Sequence, residues 1–261
     1  MNTYPIYKVD AFTNNLFGGD PAAVCPLKEW LSDDIMQKLA TENNLSETAF
    51  FVKEGEDFHI RWFTPEYEID LCGHATLASA FVIFNYLDYS YGTIRFHCKS
   101  GLLEVNNLGE LIELNFPSRM PETIDAPENL LSGISLHPTH MLKSRDYFLV
   151  YDNEELVKAF VPDFNYLNRL DDCIGIIVTA KGNEADFVSR FFVPNSVIGE
   201  DPVTGSAHCS LIPYWAKELG KTTLTAQQLS ARKGELLCNY KGDRVTMAGK
   251  AVLYLKGEYY L

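Results

Sequence analysis

Residues 61–80 read RWFTPEYEIDLCGHATLASA, and residues 190–209 read RFFVPNSVIGEDPVTGSAHC. Arg61, Phe63 and Pro65 stand 129 positions before Arg190, Phe192 and Pro194. After a short insertion, Gly73 and Ala75 stand 132 positions before Gly205 and Ala207, and Gly101 of KSGLLEV stands 133 before Gly234 of RKGELLC. Matches in one order, at a period near half of 261 residues, are the mark of a duplicated unit. The expectation is an α+β protein of two pseudo-symmetric domains, each a mixed, curved β-sheet or barrel around a central helix.

Each half carries the elements for this. YPIYKVDAF alternates like a strand and runs into the turn-rich TNNLFGGDP. Ser32 is placed to cap a helix over Asp33–Asn43, whose first turn holds Asp33 and Asp34 at the positive end of the dipole. TAFFVK and FHIRWFT read as strands, and residues 74–87 are apolar nearly all round, the pattern of a helix buried on every side. Few βαβ alternations occur, which excludes a doubly wound parallel sheet. The Pro-rich stretch from Pro117 to Pro127 reads as a linker. It separates an N-terminal domain at 1–117 from a C-terminal domain at 128–250, with the last strand, about 251–261, a candidate to return to the first domain. Pro213 falls inside the second buried helix and is expected to kink or shorten it.

Composition narrows the function. A formal net charge of −13 disfavours nucleic acid or an anionic membrane surface as partner, and no apolar run approaches the roughly 20 residues of a membrane span. The six cysteines are dispersed without a CxxC pair, and MNTYPIYKVDAF lacks the basic flank and apolar run of a secretory leader, so the chain is read as reduced and cytoplasmic.

In both repeats a strand leads through a loop to a glycine and a buried helix. Gly73 and Gly205 are expected to adopt backbone dihedrals closed to other residues and to let the backbone approach closely. The free N–H groups of each helix start then form a cradle for a small anion or carboxylate, with Ala75, Thr204 and Ser206 beside them. Cys72 and His74 are two apart and His208 and Cys209 adjacent, spacings that match neither HxxxH nor CxxC, so no metal site is expected. A two-cysteine racemisation would need a partner for Cys72, and the repeat puts Thr204 there; Cys72 is read as a small residue packed at the helix entrance. Glu47, where the polar TENNLSE meets the apolar TAFFV, is either part of the solvated end of the preceding helix or a base at the rim of an apolar cleft. His74 is a candidate proton donor, and Asp201, before Pro202, a carboxylate beside the second helix start.

At these residues the chain resembles the PhzF family, the phenazine-biosynthesis-like isomerases. The segments that carry the likeness are VDAFTNNLFGGDPAAV, ENNLSETAFFV, FTPEYEIDLCGHATLASA and GEDPVTGSAHCSLIPYW. The resemblance implies the diaminopimelate-epimerase-like fold with an active cleft between its domains. It implies a general acid/base role for Glu47, with His74 and Asp201 as further catalytic residues and Gly73, Ala75, Thr204, Gly205 and Ser206 as substrate-binding positions. It further implies proton transfer between carbons of a small carboxylate-bearing, dihydro-hydroxyanthranilate-like substrate without metal or organic cofactor, and a possible homodimer. A racemase or epimerase on the same fold and a non-catalytic small-acid-binding protein are the alternatives. One departure stands out: the first loop reads Gly19-Asp20-Pro21 where the family commonly has GNP. The added charge is expected to weaken carboxylate binding unless Asp20 is protonated or turned away.

Overall fold

The computed structural model describes residues 1–261, which divide into two compact units: residues 1–116 with 247–261, and residues 117–246. The first half of the chain forms β1 (Thr3–Ala11), β2 (Asp20–Leu27), α1 (Asp33–Asn43), β3 (Glu47–Glu54), β4 (Asp57–Phe63), β5 (Glu68–Ile69), α2 (Gly73–Tyr86), β6 (Thr93–Cys98), β7 (Gly101–Asn107) and β8 (Ile112–Pro117). Then come β9 (Glu122–Thr123), α3 (Glu128–Ser132), β10 (His140–Lys143), β11 (Tyr147–Val150), α4 (Glu154–Ala159), α5 (Phe164–Leu167), β12 (Ile176–Lys181) and β13 (Phe187–Val193). The chain continues through β14 (Gly199–Asp201), α6 (Gly205–Leu219), β15 (Thr223–Gln228), β16 (Gly234–Tyr240), β17 (Arg244–Gly249) and β18 (Ala251–Tyr260). No helix is long and apolar enough to cross a membrane.

The duplication is visible in the strand pairings. In the first unit β1 and β2 pair antiparallel, β2 and β3 parallel, β3 and β4 antiparallel, β4 and β6 parallel, and β6 and β7 antiparallel. In the second, β10 and β11, β11 and β12, β12 and β13, β13 and β15, and β15 and β16 repeat that alternation step for step. Each unit hangs a short strand on the same place: β5 pairs Glu68 with Phe63, and β14 pairs Glu200 with Phe192.

Two-sided burial fixes the faces of the first unit's sheet. Cys25, Leu27, Phe50, Val52 and Phe63 pack with Met36 and Ala40 of α1. Side chains alternate along a strand, so Asp20, Ala22 and Val24 of β2, and Glu47, Ala49 and Phe51 of β3, point to the opposite face, toward α2. Residues 74–80 of α2 are all buried, as its uninterrupted apolar pattern requires. Its counterpart α6 is buried continuously from Ala207 to Ala216. Helix α1 begins and ends where the sequence signals it: the Ser32 hydroxyl accepts from the Ile35 N–H, and Asn44 turns left-handed at the C-terminus.

Two expectations need correction. Helix α6 continues for fifteen residues with Pro213 inside it and is not shortened. Proline at this position withholds an N–H from the Cys209 carbonyl one turn earlier, and the Arg119 backbone N–H supplies that bond instead at 2.8 Å. Gly73 and Gly205 are first residues of right-handed helices and do not occupy the left-handed region. The glycine that does so next to the candidate site is Gly19, at φ +58°.

Candidate active site

Four residues that the sequence spreads over β2, β3 and the start of α2 meet on the inner face of the first unit. His74, the second residue of α2, puts Nδ1 3.0 Å from Asp20 Oδ2 and Nε2 3.0 Å from Glu47 Oε2. The side chains of His74, Asp20 and Glu47 are 6%, 0% and 13% exposed, so this charge cluster is withdrawn from water. Glu47 Oε2 is buried and forms no aligned hydrogen bond; its approach to His74 is a contact of charges. Cys72 completes the group, its sulfur 3.5 Å from Nδ1 and 3.9 Å from Nε2.

Burial by itself disfavours an imidazolium. Here the charges of Asp20 and Glu47 and the bond to Asp20 outweigh it, and His74 stays protonated well above the usual imidazole range. Burial acts on Cys72 in the other direction, pushing its thiol up to about 12 with help from the Glu47 charge. Cys72 is therefore a protonated thiol at neutral pH and a poor nucleophile, in keeping with a packing residue at the helix entrance. Glu47, Cys72 and His74 each offer a donor atom within 4.8 Å of the others.

Both buried helices start without a side-chain cap. Cys72 and Thr204 occupy the N-cap positions in extended conformation, and neither side chain bonds a first-turn N–H. Ala75 is fully buried in the first turn of α2. In the second unit, Asp201 Oδ2 accepts from the Thr204 hydroxyl at 2.6 Å, and the Ser206 hydroxyl accepts from Arg145 Nη2 at 2.9 Å.

The loop before α6 is held by a residue that sequence reading passed over. Gln228, fully buried on β15, accepts from the Thr204 N–H at 2.8 Å and donates to the Asp201 carbonyl at 2.8 Å and the Thr204 hydroxyl at 3.1 Å. A polar amide in an alternating strand gives no local signal of that role. Arg145, in a segment with little patterning, was equally silent. Asp20 did carry a signal, as the acidic departure in the GDP triplet, but read as a repulsive charge. The structure places it against the imidazole, which answers that charge.

A second duplicated device supports the loops that lead to these helix starts. Arg61 grips Glu68 of β5 through Nε and Nη2 at 2.8 and 2.9 Å, and Arg190 grips Glu200 of β14 through the same atoms at 2.7 and 2.9 Å. Each guanidinium also lies over a phenylalanine two residues on, Phe63 at 5.1 Å and Phe192 at 4.7 Å. The Arg61 bonds hold the Glu68 carboxyl down at about 2.

The family model described as phenazine biosynthesis-like protein matches residues 9–257. An uncharacterized isomerase of Pseudomonas aeruginosa is 50% identical over 256 residues, covering 98% of each chain. The crystal structure of a PhzF-family protein of Enterococcus faecalis superposes with a TM-score of 0.96 at 50% identity, over the whole of both chains. A hydroxyproline epimerase of Agrobacterium vitis shares the fold at a TM-score of 0.66 and 8% identity, covering 98% of this chain and 92% of that one. The chain belongs to the phenazine biosynthesis-like, or PhzF, family of isomerases.

Proposed function

We propose that the protein is an isomerase that moves a proton between carbons of a small carboxylate-bearing substrate, using Glu47 as general acid/base and no cofactor. The observation that carries this reading is the part-buried Glu47 carboxylate held 3.0 Å from His74 beside the uncapped start of α2. A base must take a proton from an activated carbon and return it, and Glu47 has a fixed cationic neighbour to accompany both changes of charge. Its Oε2 is buried against the imidazole, so the proton is exchanged through the part of the carboxylate that remains exposed. The electrons released from the C–H bond would spread into the conjugated system toward the substrate carboxylate. The N–H groups at Gly73, His74 and Ala75 suit that developing charge, since a preorganised donor there need not reorient during the reaction. The start of α6, with Thr204, Gly205, Ser206 and Asp201, is the second unit's counterpart of this cradle and is proposed to bind substrate likewise.

Proton NMR in D₂O with dihydro-hydroxyanthranilate tests the reading. Wild type should isomerise it with uptake of solvent deuterium, and Glu47→Gln should bind it yet turn over at least ~100-fold more slowly, the size of a lost acid/base contribution. Unchanged turnover in Glu47→Gln would sink the mechanism. Solvent exchange at a stereocentre without bond migration would favour an epimerase, and binding without exchange a non-catalytic protein.

A further inference from the structure

We propose that Asp20 is a positioning residue for His74: by engaging Nδ1 it turns the imidazole so that Nε2 faces Glu47. This rests on the reading of Glu47 as the acid/base and extends it from a pair to a chain of Asp20, His74 and Glu47.

Three features place Asp20 in that role. Its side chain is fully buried on the inner face of β2, and a carboxylate withdrawn from water persists only where a partner compensates it. One such partner is the imidazole nitrogen 3.0 Å from Oδ2, on the side of the ring opposite the one that faces Glu47. The backbone ahead of Asp20 is also built to hold it in place. Gly19 is left-handed, and a Cβ there would lie 2.0 Å from the Ala11 carbonyl oxygen, so no other residue fits without moving the loop. Phe12 and Phe17 in the same loop are left-handed too, at φ +60° and +68°, an unfavourable conformation for bulky side chains. The Phe17 N–H is fastened to Asp10 Oδ2 at 2.9 Å. Strain concentrated in the loop that delivers one buried carboxylate marks the position of that carboxylate as the feature the loop maintains.

The chemistry follows from charge. Within this unit the titratable groups facing the ring are Asp20 from β2, Glu47 from β3 and Cys72 ahead of α2. An asparagine at position 20 could satisfy Nδ1 but would bring no charge to hold the ring doubly protonated. With aspartate, both ring nitrogens carry protons, and the Nε2–H is presented to Glu47 in either of its protonation states. His74 then stays in one orientation while Glu47 gains and loses its proton.

The test needs no substrate. Imidazole nitrogens are followed by ¹⁵N–¹H NMR across pH 5–10 in the full chain, with His74 assigned by its loss in His74→Gln. In wild type, His74 should remain doubly protonated past pH 8, where an ordinary imidazole is neutral. In Asp20→Asn its proton affinity should fall at least tenfold while the His208 signals stay put, reporting an intact fold. A wild-type His74 that titrates in the ordinary imidazole range overturns the proposal without recourse to any variant, and so does an unchanged titration in Asp20→Asn. Where wild type turns over dihydro-hydroxyanthranilate, Asp20→Asn should shift the pH profile of kcat and leave KM within about twofold. Retained turnover in Glu47→Gln would remove the reading of Glu47 as the acid/base, while the titration would still decide whether Asp20 governs His74.

Discussion

His74 and His208 are both buried in the first turn of a central helix, yet they sit on opposite sides of neutrality. His74 has carboxylates for neighbours. His208 donates Nδ1–H to the Thr204 carbonyl at 2.8 Å, has no partner at Nε2, and burial lowers it to about 4. The two contribute to stability with opposite signs. His74 binds its proton more tightly folded than unfolded, so its contribution is complete below pH ~6.5 and is lost as pH climbs through its raised value. His208 binds its proton less tightly folded, so its contribution is complete above pH ~6.5 and is lost as pH falls toward 4. That window is worth about 3 kcal/mol for a fully buried group. Urea unfolding at pH 7, 5.5 and 4 should show this loss in wild type, while His208→Asn, whose amide can still donate to Thr204, should flatten the profile by about that amount. An equally steep profile in the variant would assign the acid lability elsewhere. Neither histidine's state was legible in the sequence, because it depends on which strands flank the ring and not on the residues next to it.

The paired forks show what a repeat can and cannot reveal. Arg61 and Arg190 stood out as matched positions, but their partners did not, although Glu68 and Glu200 are separated by the same 132 residues as Gly73 and Gly205. The loops between differ in composition, and only the pairing of β5 on β4 and β14 on β13 brings each glutamate beside its arginine. Arg190 also donates to the Phe160 carbonyl at 2.8 Å, so its guanidinium closes a loop end as well as an ion pair. Arg190→Met should cost about 2–4 kcal/mol in urea unfolding by leaving Glu200 part-buried and unpaired. Adding Glu200→Gln should recover part of that loss, a coupling of at least ~1 kcal/mol in the double-mutant cycle. Additive effects would mean that the fork contributes nothing as a pair. Helix α1 was readable to the residue because its signals, Ser32 and the two aspartates, are local. Helix α6 is not shortened at Pro213, as one arm of the expectation had it, because the compensating donor, the Arg119 N–H, comes from a distant segment.

The class of fold was legible because duplication and buried-helix patterning are properties of the whole chain; the order in which strands pair was not, since periodicity is silent about partners. Net charge is another property of the whole chain. At −13 it opposes the approach of the anionic substrate proposed above, so kcat/KM for a carboxylate substrate should rise several-fold as salt goes from ~10 to ~150 mM, with kcat unchanged. A fall with salt would show that a local positive field governs capture. A last consequence concerns the order of synthesis. Strand β1 pairs along its whole length with β18, from Thr3 opposite Tyr260 to Ala11 opposite Ala251. On a ribosome adding about 5–20 residues per second, β1 waits roughly 12–50 s for that partner. The unit encoded by 117–246 is fully translated before the unit that begins the chain can close, so the nascent N-terminal strand spends the whole of translation as an open edge, the period in which a chaperone or a wrong strand could claim it.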